Sequence, residues 1–176
     1  NGSTNLILST EYILACDRLD FGCSGAQFDT LWKYLTINGT TTETCFPYTS
    51  AHGDVANCPR TCKDGSAIRI FKVDPASIQQ FSGNVVDAQI DIMTYGSIPT
   101  GMEMYMDFET YTAGVYVPTT TQSIGLSAAR VLGWGVDSVS GLPYWLADKG
   151  WGTHWGSNGY FKILRGKDTC KFETYM

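Results

Sequence analysis

The hydrophobic pattern changes its period along the chain, and this change limits the folds that the sequence can adopt. In the first half, apolar residues recur with helical spacing: Phe28, Leu31, Trp32 and Leu35 stand at positions i, i+3, i+4 and i+7. In the second half, short apolar or alternating segments are separated by glycine-rich turns, which is typical of antiparallel strands. Helices followed by strands predict an α+β architecture with two structural halves.

Three helices are predicted, each from a start signal, a stop signal or both. Ser9 can cap a helix over TEYILAC, and Asn38-Gly39 follows the helix that carries the apolar stripe. Asn84 can cap a helix over VVDAQIDIMTY, which Gly96 ends.

The remaining segments predict a loop and several strands. Residues 40–66 are polar and rich in turn-forming residues, so we expect a loop that disulfides hold in place. The stretch AIRIFKV at 67–73 is predicted to be a strand, and further strands are predicted in GMEMYM, SAARVLGW, LPYWLADKG and GYFKILRG. These assignments place a helical half at about 1–66 and a β-rich half at about 67–176, within one domain.

Charge and hydropathy exclude two classes of partner. The net charge of −5 and a pI near 4.8 leave no basic patch to neutralise phosphates, so we expect no nucleic acid partner. No apolar run is long enough to cross a bilayer. The chain starts at Asn1 without a charged and apolar leader, so we expect a processed chain that lacks an N-terminal part.

Six cysteines in a chain of 176 residues favour an oxidising compartment. Cys58 and Cys62, in CPRTC, could also bind zinc. A zinc site would need a second pair of ligands close together in sequence, and the two histidines of the chain, His52 and His154, are far apart. Disulfides are therefore the favoured interpretation, and we expect neither a metal nor a cofactor.

Two glycosylation sequons agree with a secretory route. They are Asn1-Gly-Ser and Asn38-Gly-Thr. Together with the cysteine content, they predict an extracellular, secretory or lysosome-like location.

A long motif near the C-terminus carries a resemblance to a known family. The run PYWLADKGWGTHWGSNGYFKILRGKDTC, together with ARVLGWG and GCSGA, resembles the papain-family cysteine proteases, and among them the cathepsin B-like members. The similarity extends from LSTEYILAC to FETY. It implies a papain-like fold with a helical half and a half built on an antiparallel sheet or barrel. It also implies that the segment with the CGSCW-type nucleophile motif is missing from this chain.

The resemblance assigns the family's catalytic histidine and asparagine to two positions that hold other residues here. In place of a GGHA pattern the chain has Gly125-Leu126-Ser127-Ala128, so Ser127 stands at the histidine position. In place of NSW it has Lys149-Gly150-Trp151, so Lys149 stands at the asparagine position, two residues before Trp151. A serine hydroxyl cannot shuttle the thiol proton, and a cationic amine cannot accept a hydrogen bond from an imidazole. We therefore predict that the catalytic machinery is degenerate.

Other interpretations of these residues remain open. Ser127 could be a nucleophile, but no residue nearby in sequence could serve as its base, so a packed or hydrogen-bonded serine is favoured. Lys149 beside Asp148 is interpreted as a solvated or salt-bridged surface pair. The tryptophans Trp145, Trp151 and Trp155 are interpreted as core and groove wall.

The resemblance also implies a substrate groove, which this chain has altered. Ala26 replaces a glycine beside Gly25, and Leu126 replaces a small glycine. Bulky side chains at the main specificity pocket indicate a pocket that is partly filled. The groove candidates are Gly25, Ala26, Phe28, Met102, Leu126, Ala128 and Tyr175.

The same resemblance implies a set of disulfides. Two pairs are expected, Cys16–Cys58 and Cys45–Cys62. Cys23 is expected to pair with a cysteine outside this chain, and Cys170 to be a free thiol. The alternative is a Cys23–Cys170 bond, which would need no missing partner.

Three functions follow as hypotheses. The leading one is a catalytically inactive, pseudoprotease form of the papain fold that acts in binding or assembly. The first alternative is the heavy chain of an active cysteine endopeptidase, whose catalytic cysteine lies on a missing N-terminal segment or a separate light chain. The second alternative is a structural extracellular scaffold protein.

Overall fold

A computed structural model describes residues 5–176. The chain divides into two compact units, Asn1–Ile78 and Gln79–Met176. The boundary between the two units therefore follows residue 78. The sequence predicts the boundary between the helical and the β-rich half at about residue 66.

Unit 1 is built on two helices, α1 (Thr10–Cys16) and α2 (Phe28–Ile37). The Ser9 hydroxyl caps α1 by accepting a hydrogen bond from the Tyr12 N–H at 2.9 Å, which confirms the predicted start. The apolar stripe of α2 is only half-buried, and Tyr34, outside the stripe, is the one buried residue of that helix.

The loop that follows α2 is held by two disulfides, as the resemblance implies. The bonds are Cys16–Cys58 and Cys45–Cys62, with Cα atoms 4.8 and 4.5 Å apart. Glu11 adds a third tie, because its buried carboxylate accepts hydrogen bonds from the backbone N–H groups of Thr49 and Ser50 at 3.0 and 3.1 Å. No local pattern in the sequence indicates this role of Glu11.

The predicted strand at 67–73 is wrong. Only Phe71 takes part in sheet-like pairing, through a single bridge in which Phe71 and Thr40 exchange backbone hydrogen bonds of 2.7 and 2.9 Å. An alternating apolar segment becomes a strand only where a partner pairs along its length, and Thr40 supplies one residue of pairing.

Unit 2 combines one helix, α3 (Val85–Tyr95), with a five-stranded sheet. Asn84 and Gly96 bound the helix as predicted. The strands follow one another in the sheet in the order β1-β3-β4-β5-β2. Their bounds are β1 Ile98–Tyr105, β2 Val115–Tyr116, β3 Ser123–Val136, β4 Pro143–Asp148 and β5 Tyr160–Leu164.

The strands of unit 2 are antiparallel with one exception. Strand β1 pairs with β3, β3 with β4, and β4 with β5 in antiparallel register, and β2 lies parallel to β5. The two-residue β2 was missed in the sequence, because it is too short to show an alternating pattern.

The core of unit 2 lies between the sheet and α3 and includes a cluster of aromatic rings. The fully buried large side chains there include Phe108, Trp145, Phe161 and Phe172. The indole N–H of Trp145 donates to the Glu173 carboxylate at 2.9 Å, which satisfies both polar groups inside the core.

Candidate functional site

Lys149 and Ser127, the two residues that the sequence analysis interprets as degenerate catalytic positions, contact each other in unit 2. The Lys149 Nζ donates to the Ser127 Oγ at 2.6 Å and to the Ala128 carbonyl oxygen at 2.8 Å. The same ammonium lies 4.8 Å from the centre of the Trp151 ring, within the range of a cation–π interaction. The ammonium is thus surrounded by two hydrogen-bond acceptors and one aromatic ring.

The pairing of β3 with β4 produces this contact between residues 22 positions apart in sequence. The antiparallel register opposes Arg130 to Asp148, so Lys149, which follows Asp148, lies opposite the first part of β3. Side chains alternate along β3, and Ser127 lies on the same face as the buried Ala129 and Val131. Ser127 is thus directed toward the core side of the sheet, where the lysine side chain reaches it.

Burial changes the protonation chemistry of Lys149. The residue is only 9% exposed, and burial lowers the pKa of its amine to about 8. The interpretation of Lys149 and Asp148 as a surface pair is wrong, because the Asp148 carboxylate binds the Arg130 guanidinium instead. No carboxylate forms an ion pair with Lys149 anywhere between residues 5 and 176.

The two histidines do not contact the pair through hydrogen bonds. His52 is exposed in a short 3₁₀ helix of unit 1, Ser50–His52. His154 is exposed in the turn between β4 and β5. In the part of the chain that the structure describes, neither imidazole ring takes part in a hydrogen bond with another side chain.

The three tryptophans near the pair differ in their exposure. Trp145 is fully buried in the core, and Trp155 is half-buried beside Phe108, with ring centres 5.0 Å apart. Trp151 is 42% exposed, and its ring centre lies 4.9 Å from that of Trp155. Trp151 therefore joins the aromatic core to the surface beside Lys149.

The groove candidates of unit 2 lie on the ladder between β1 and β3. Met102 pairs with Ser127 but is fully buried in the core, so it presents no surface to a ligand in this structure. Leu126 is 68% exposed, and Ala128 is exposed as well. Tyr175 packs against Gly101, where even a Cβ would lie 3.1 Å from its ring.

The groove candidates of unit 1 lie at the start of α2. Gly25 and Ala26 are exposed, and Phe28, the first residue of the helix, is half-buried. Gly25 has a φ of +119°, a conformation that a residue with a side chain rarely adopts. Asn38, the predicted glycosylation site, is exposed at the end of α2, and Asn1 lies outside the described residues.

The two remaining cysteines form no disulfide within residues 5–176. Cys23 is exposed. Cys170 is buried, and burial raises the pKa of its thiol to about 12. The structure thus contains two unbonded thiols of opposite accessibility, and the alternative Cys23–Cys170 bond is not formed.

The described residues lack two further kinds of feature. No group of three or more histidine, cysteine or acidic side chains there could hold a metal ion. None of the described helices is both long and apolar enough to span a membrane.

Comparison with known proteins identifies the protein family to which the chain belongs. The family described as "Papain family cysteine protease" matches residues 1–176, and the chain belongs to that family. Cathepsin B-like CP1 of Giardia intestinalis is 35% identical over 94% of this chain, which covers 54% of that protein. Cathepsin B-like cysteine proteinase 4 of Caenorhabditis elegans is 34% identical over 98% of this chain, which covers 59% of that protein. The chain thus spans little more than half the length of these relatives.

Solved structures show the same fold. The structure of proCathepsin B S9 from Trypanosoma congolense has a TM-score of 0.87 and 28% sequence identity, and the match covers 98% of this chain and 60% of that one. Digestive procathepsin L 3 of Tenebrio molitor larval midgut has a TM-score of 0.72 at 20% identity, over 97% of this chain and 54% of that one. The papain-like α+β fold predicted from the sequence is confirmed.

The contact between Lys149 and Ser127 is the feature that sequence analysis missed. A signal for it was present, because the resemblance assigns these two positions to an asparagine that orients a histidine. Residues at two such positions are expected to touch whatever their identity. The lysine was instead interpreted from its neighbour Asp148, which the structure pairs with Arg130.

Proposed function

We propose that this chain is a papain-fold component without cysteine-peptidase activity, which acts in binding or assembly. The observation that carries the proposal is the hydrogen bond from Lys149 Nζ to Ser127 Oγ, 2.6 Å long. The two positions that the family resemblance assigns to the proton shuttle and its orienting residue are bonded to each other. Neither side chain supplies the imidazole that shuttles the thiol proton in the family, and the Lys149 amine is directed at Ser127.

The chemistry of the pair supports the same conclusion. Cysteine-type peptide hydrolysis needs a base that takes the thiol proton and returns it to the leaving amine. A serine hydroxyl does neither near neutral pH. An imidazolium formed beside Lys149 would be disfavoured by the charge of the ammonium, so even an imidazole supplied from elsewhere would be a poor partner for a thiolate.

A peptidase assay with a restored variant tests the proposal. The full-length protein, with any segment upstream of residue 1, is assayed on fluorogenic dibasic and hydrophobic peptides and labelled with a thiol-directed epoxide. We expect no cysteine-dependent turnover. The matched comparison is the double variant Ser127→His/Lys149→Asn, which puts the family's residues back at both positions. Turnover by the unaltered protein that the epoxide abolishes would refute the proposal, whatever the double variant does.

The proposed location is an oxidising compartment of the secretory or lysosomal type. Two disulfides, Cys16–Cys58 and Cys45–Cys62, support this proposal, since such bonds persist mainly in oxidising environments. Cathepsin-type relatives are consistent with it.

A second candidate, the heavy chain of a cysteine endopeptidase, is favoured by one observation. Cys23 is exposed and unbonded within the described residues, as expected of a thiol that pairs with a cysteine on another segment or on a light chain. Mass spectrometry of the full-length protein without reduction would identify the Cys23 partner. If Cys23 is found bonded to such a segment, the peptidase assay above decides between the two candidates.

A further inference from the structure

The Ser127–Lys149 pair also resembles the activated nucleophile of a serine hydrolase, in which a lysine serves as base. We propose that Ser127 is a lysine-activated nucleophile that accepts an acyl group from activated esters. The 2.6 Å contact between Lys149 Nζ and Ser127 Oγ lies within the distance needed for proton transfer. The proposal goes beyond the loss of cysteine chemistry, because the reaction involves no cysteine.

The serine side of the pair is accessible. Ser127 is partly exposed, and its neighbours Leu126 and Ala128 are both exposed. Among the described residues, the side chain of Ser127 has one hydrogen-bond partner, Lys149. Ser127 is therefore in partial contact with solvent beside its hydrogen bond to Lys149.

The lysine side of the pair meets the requirements for a base. Lys149 is buried and has no carboxylate partner in the described chain, and the nearest acidic residue in sequence, Asp148, is neutralised by Arg130. Burial lowers the pKa of the amine to about 8, so roughly a tenth of the molecules carry a neutral amine at pH 7. The neutral amine has a lone pair that can accept the Ser127 proton. A lysine that is desolvated in this way is a known type of general base.

The proposed step is a single acyl transfer. The Ser127 Oγ attacks the ester carbonyl carbon and forms an Oγ–C bond with it. At the same time the hydroxyl proton passes to the neutral Lys149 Nζ. The tetrahedral intermediate then collapses with cleavage of the bond between the carbonyl carbon and the leaving oxygen. The leaving group departs as an alkoxide or phenolate, or takes the proton back from Lys149. The products are acyl-Ser127 and an alcohol or phenol.

The surroundings favour apolar, uncharged acyl donors. The exposed ring of Trp151 lies beside Lys149 and offers an apolar surface next to the reactive pair. An aryl ester with a short acyl chain has both a good leaving group and a group that can pack against an indole. We therefore choose p-nitrophenyl acetate and p-nitrophenyl butyrate as probes.

The experiment measures acylation of the full chain directly. The protein, with Cys23 alkylated beforehand to remove thiol reactivity, is mixed with p-nitrophenyl acetate. Release of p-nitrophenolate is followed, and the acetylated residue is located by peptide mass spectrometry. We expect one acetyl group on Ser127. The rate, corrected for spontaneous hydrolysis, should rise with pH through the Lys149 pKa of about 8 and level off once the amine is fully neutral.

Variants separate the nucleophile from the base. Ser127→Ala should abolish acetylation, and Lys149→Met should slow it by about 100-fold or more, which is the usual contribution of a general base. Lys149→Arg keeps the charge but cannot lose its proton, so it should be as slow as Lys149→Met. The matched controls are Ser138→Ala and Lys167→Met, at exposed positions of the same unit, which should react as the unaltered protein does.

Each result decides the proposal. Near-ultraviolet circular dichroism establishes that each variant is folded, and Lys149→Arg provides a second test of the base if Lys149→Met is not. Three results would overturn the proposal. They are an acetyl group on Lys149 instead of Ser127, equal acetylation of the Ser127→Ala variant, and a rate that does not depend on pH between 6.5 and 9. None of these outcomes affects the cysteine-peptidase assay, so the two proposals fail separately.

Discussion

Replacement of Lys149 by methionine tests the electrostatics of the buried ammonium through protein stability. Burial lowers the pKa of Lys149 from 10.5 to about 8 in the folded state. Between these two values, the unfolded chain binds more protons than the folded chain. The free energy of unfolding of the unaltered protein should therefore rise as the pH rises from 8 to 10.5, and Lys149→Met should lack this rise.

The two pKa values set the magnitude. One pKa unit corresponds to about 1.36 kcal/mol, so the drop from 10.5 to about 8 corresponds to at most about 3 kcal/mol. Because solvent reaches the serine end of the pair and screens part of the effect, we expect about 1–2 kcal/mol. At pH 7, the loss of the bonds to Ser127 and Ala128 opposes the relief of the buried charge. Lys149→Met should therefore lie within about 1–2 kcal/mol of the unaltered protein there.

Urea unfolding followed by tryptophan fluorescence from pH 7 to 10.5 measures the difference between the two proteins. Every protein compared has Cys23 alkylated and carries Cys170→Ala, because either free thiol would exchange with the disulfides when the chain unfolds at alkaline pH. The control is Lys167→Met, at an exposed position, whose stability should follow that of the unaltered protein at every pH. The stability of Lys149→Met should fall behind that of the unaltered protein as the pH rises. A difference that stays constant across this range would refute the reasoning, because it would mean that folding does not perturb the amine.

Two further predictions concern unit 1 and the free thiols. Burial raises the pKa of Glu11, yet the hydrogen bonds from Thr49, Ser50 and Ala56 together lower it below 4.5. Glu11→Gln should therefore lower the free energy of unfolding, measured in urea at pH 7, by about 2 kcal/mol. This difference in stability should become smaller as the pH falls below about 4.5. An equal difference at pH 3 would contradict this assignment. Iodoacetamide should alkylate Cys23 in the folded protein and Cys170 only after unfolding, since Cys170 is buried with a pKa raised to about 12. Peptide mass spectrometry checks this, and equal modification of both thiols in the folded state would count against the buried placement of Cys170.

Local signals in the sequence were sufficient for most of the helices and strands. Ser9 and Asn84 cap helices through bonds to backbone groups only three residues away, so their role can be inferred without tertiary information. Strands β1, β3, β4 and β5 have enough length to show alternation between glycine-rich turns.

The errors arise where the outcome depends on a distant partner. AIRIFKV has the composition of a strand but meets only Thr40, so a sheet does not form there. Glu11 resembles an ordinary surface acid on a helix, and only the folded loop brings five donor groups to its carboxylate. Hydrophobic period does not encode such long-range contacts.

The candidate site depends both on a local sequence motif and on a long-range contact. The family resemblance assigns the positions of Ser127 and Lys149 to a histidine and an asparagine, but it does not specify what a serine and a lysine at those positions do together. Burial of Lys149 without acceptors would be costly, because an uncompensated buried charge destabilises a protein by several kcal/mol. The Ser127 hydroxyl and the Ala128 carbonyl provide those acceptors. The Trp151 ring adds a cation–π interaction with the same ammonium. The lysine therefore depends on a small hydroxyl at position 127: a larger side chain without an acceptor there would leave the ammonium short of a partner. Ser127 and Lys149 are best understood as one unit, because the same hydrogen bond that satisfies the buried ammonium also places an amine of lowered pKa against a serine.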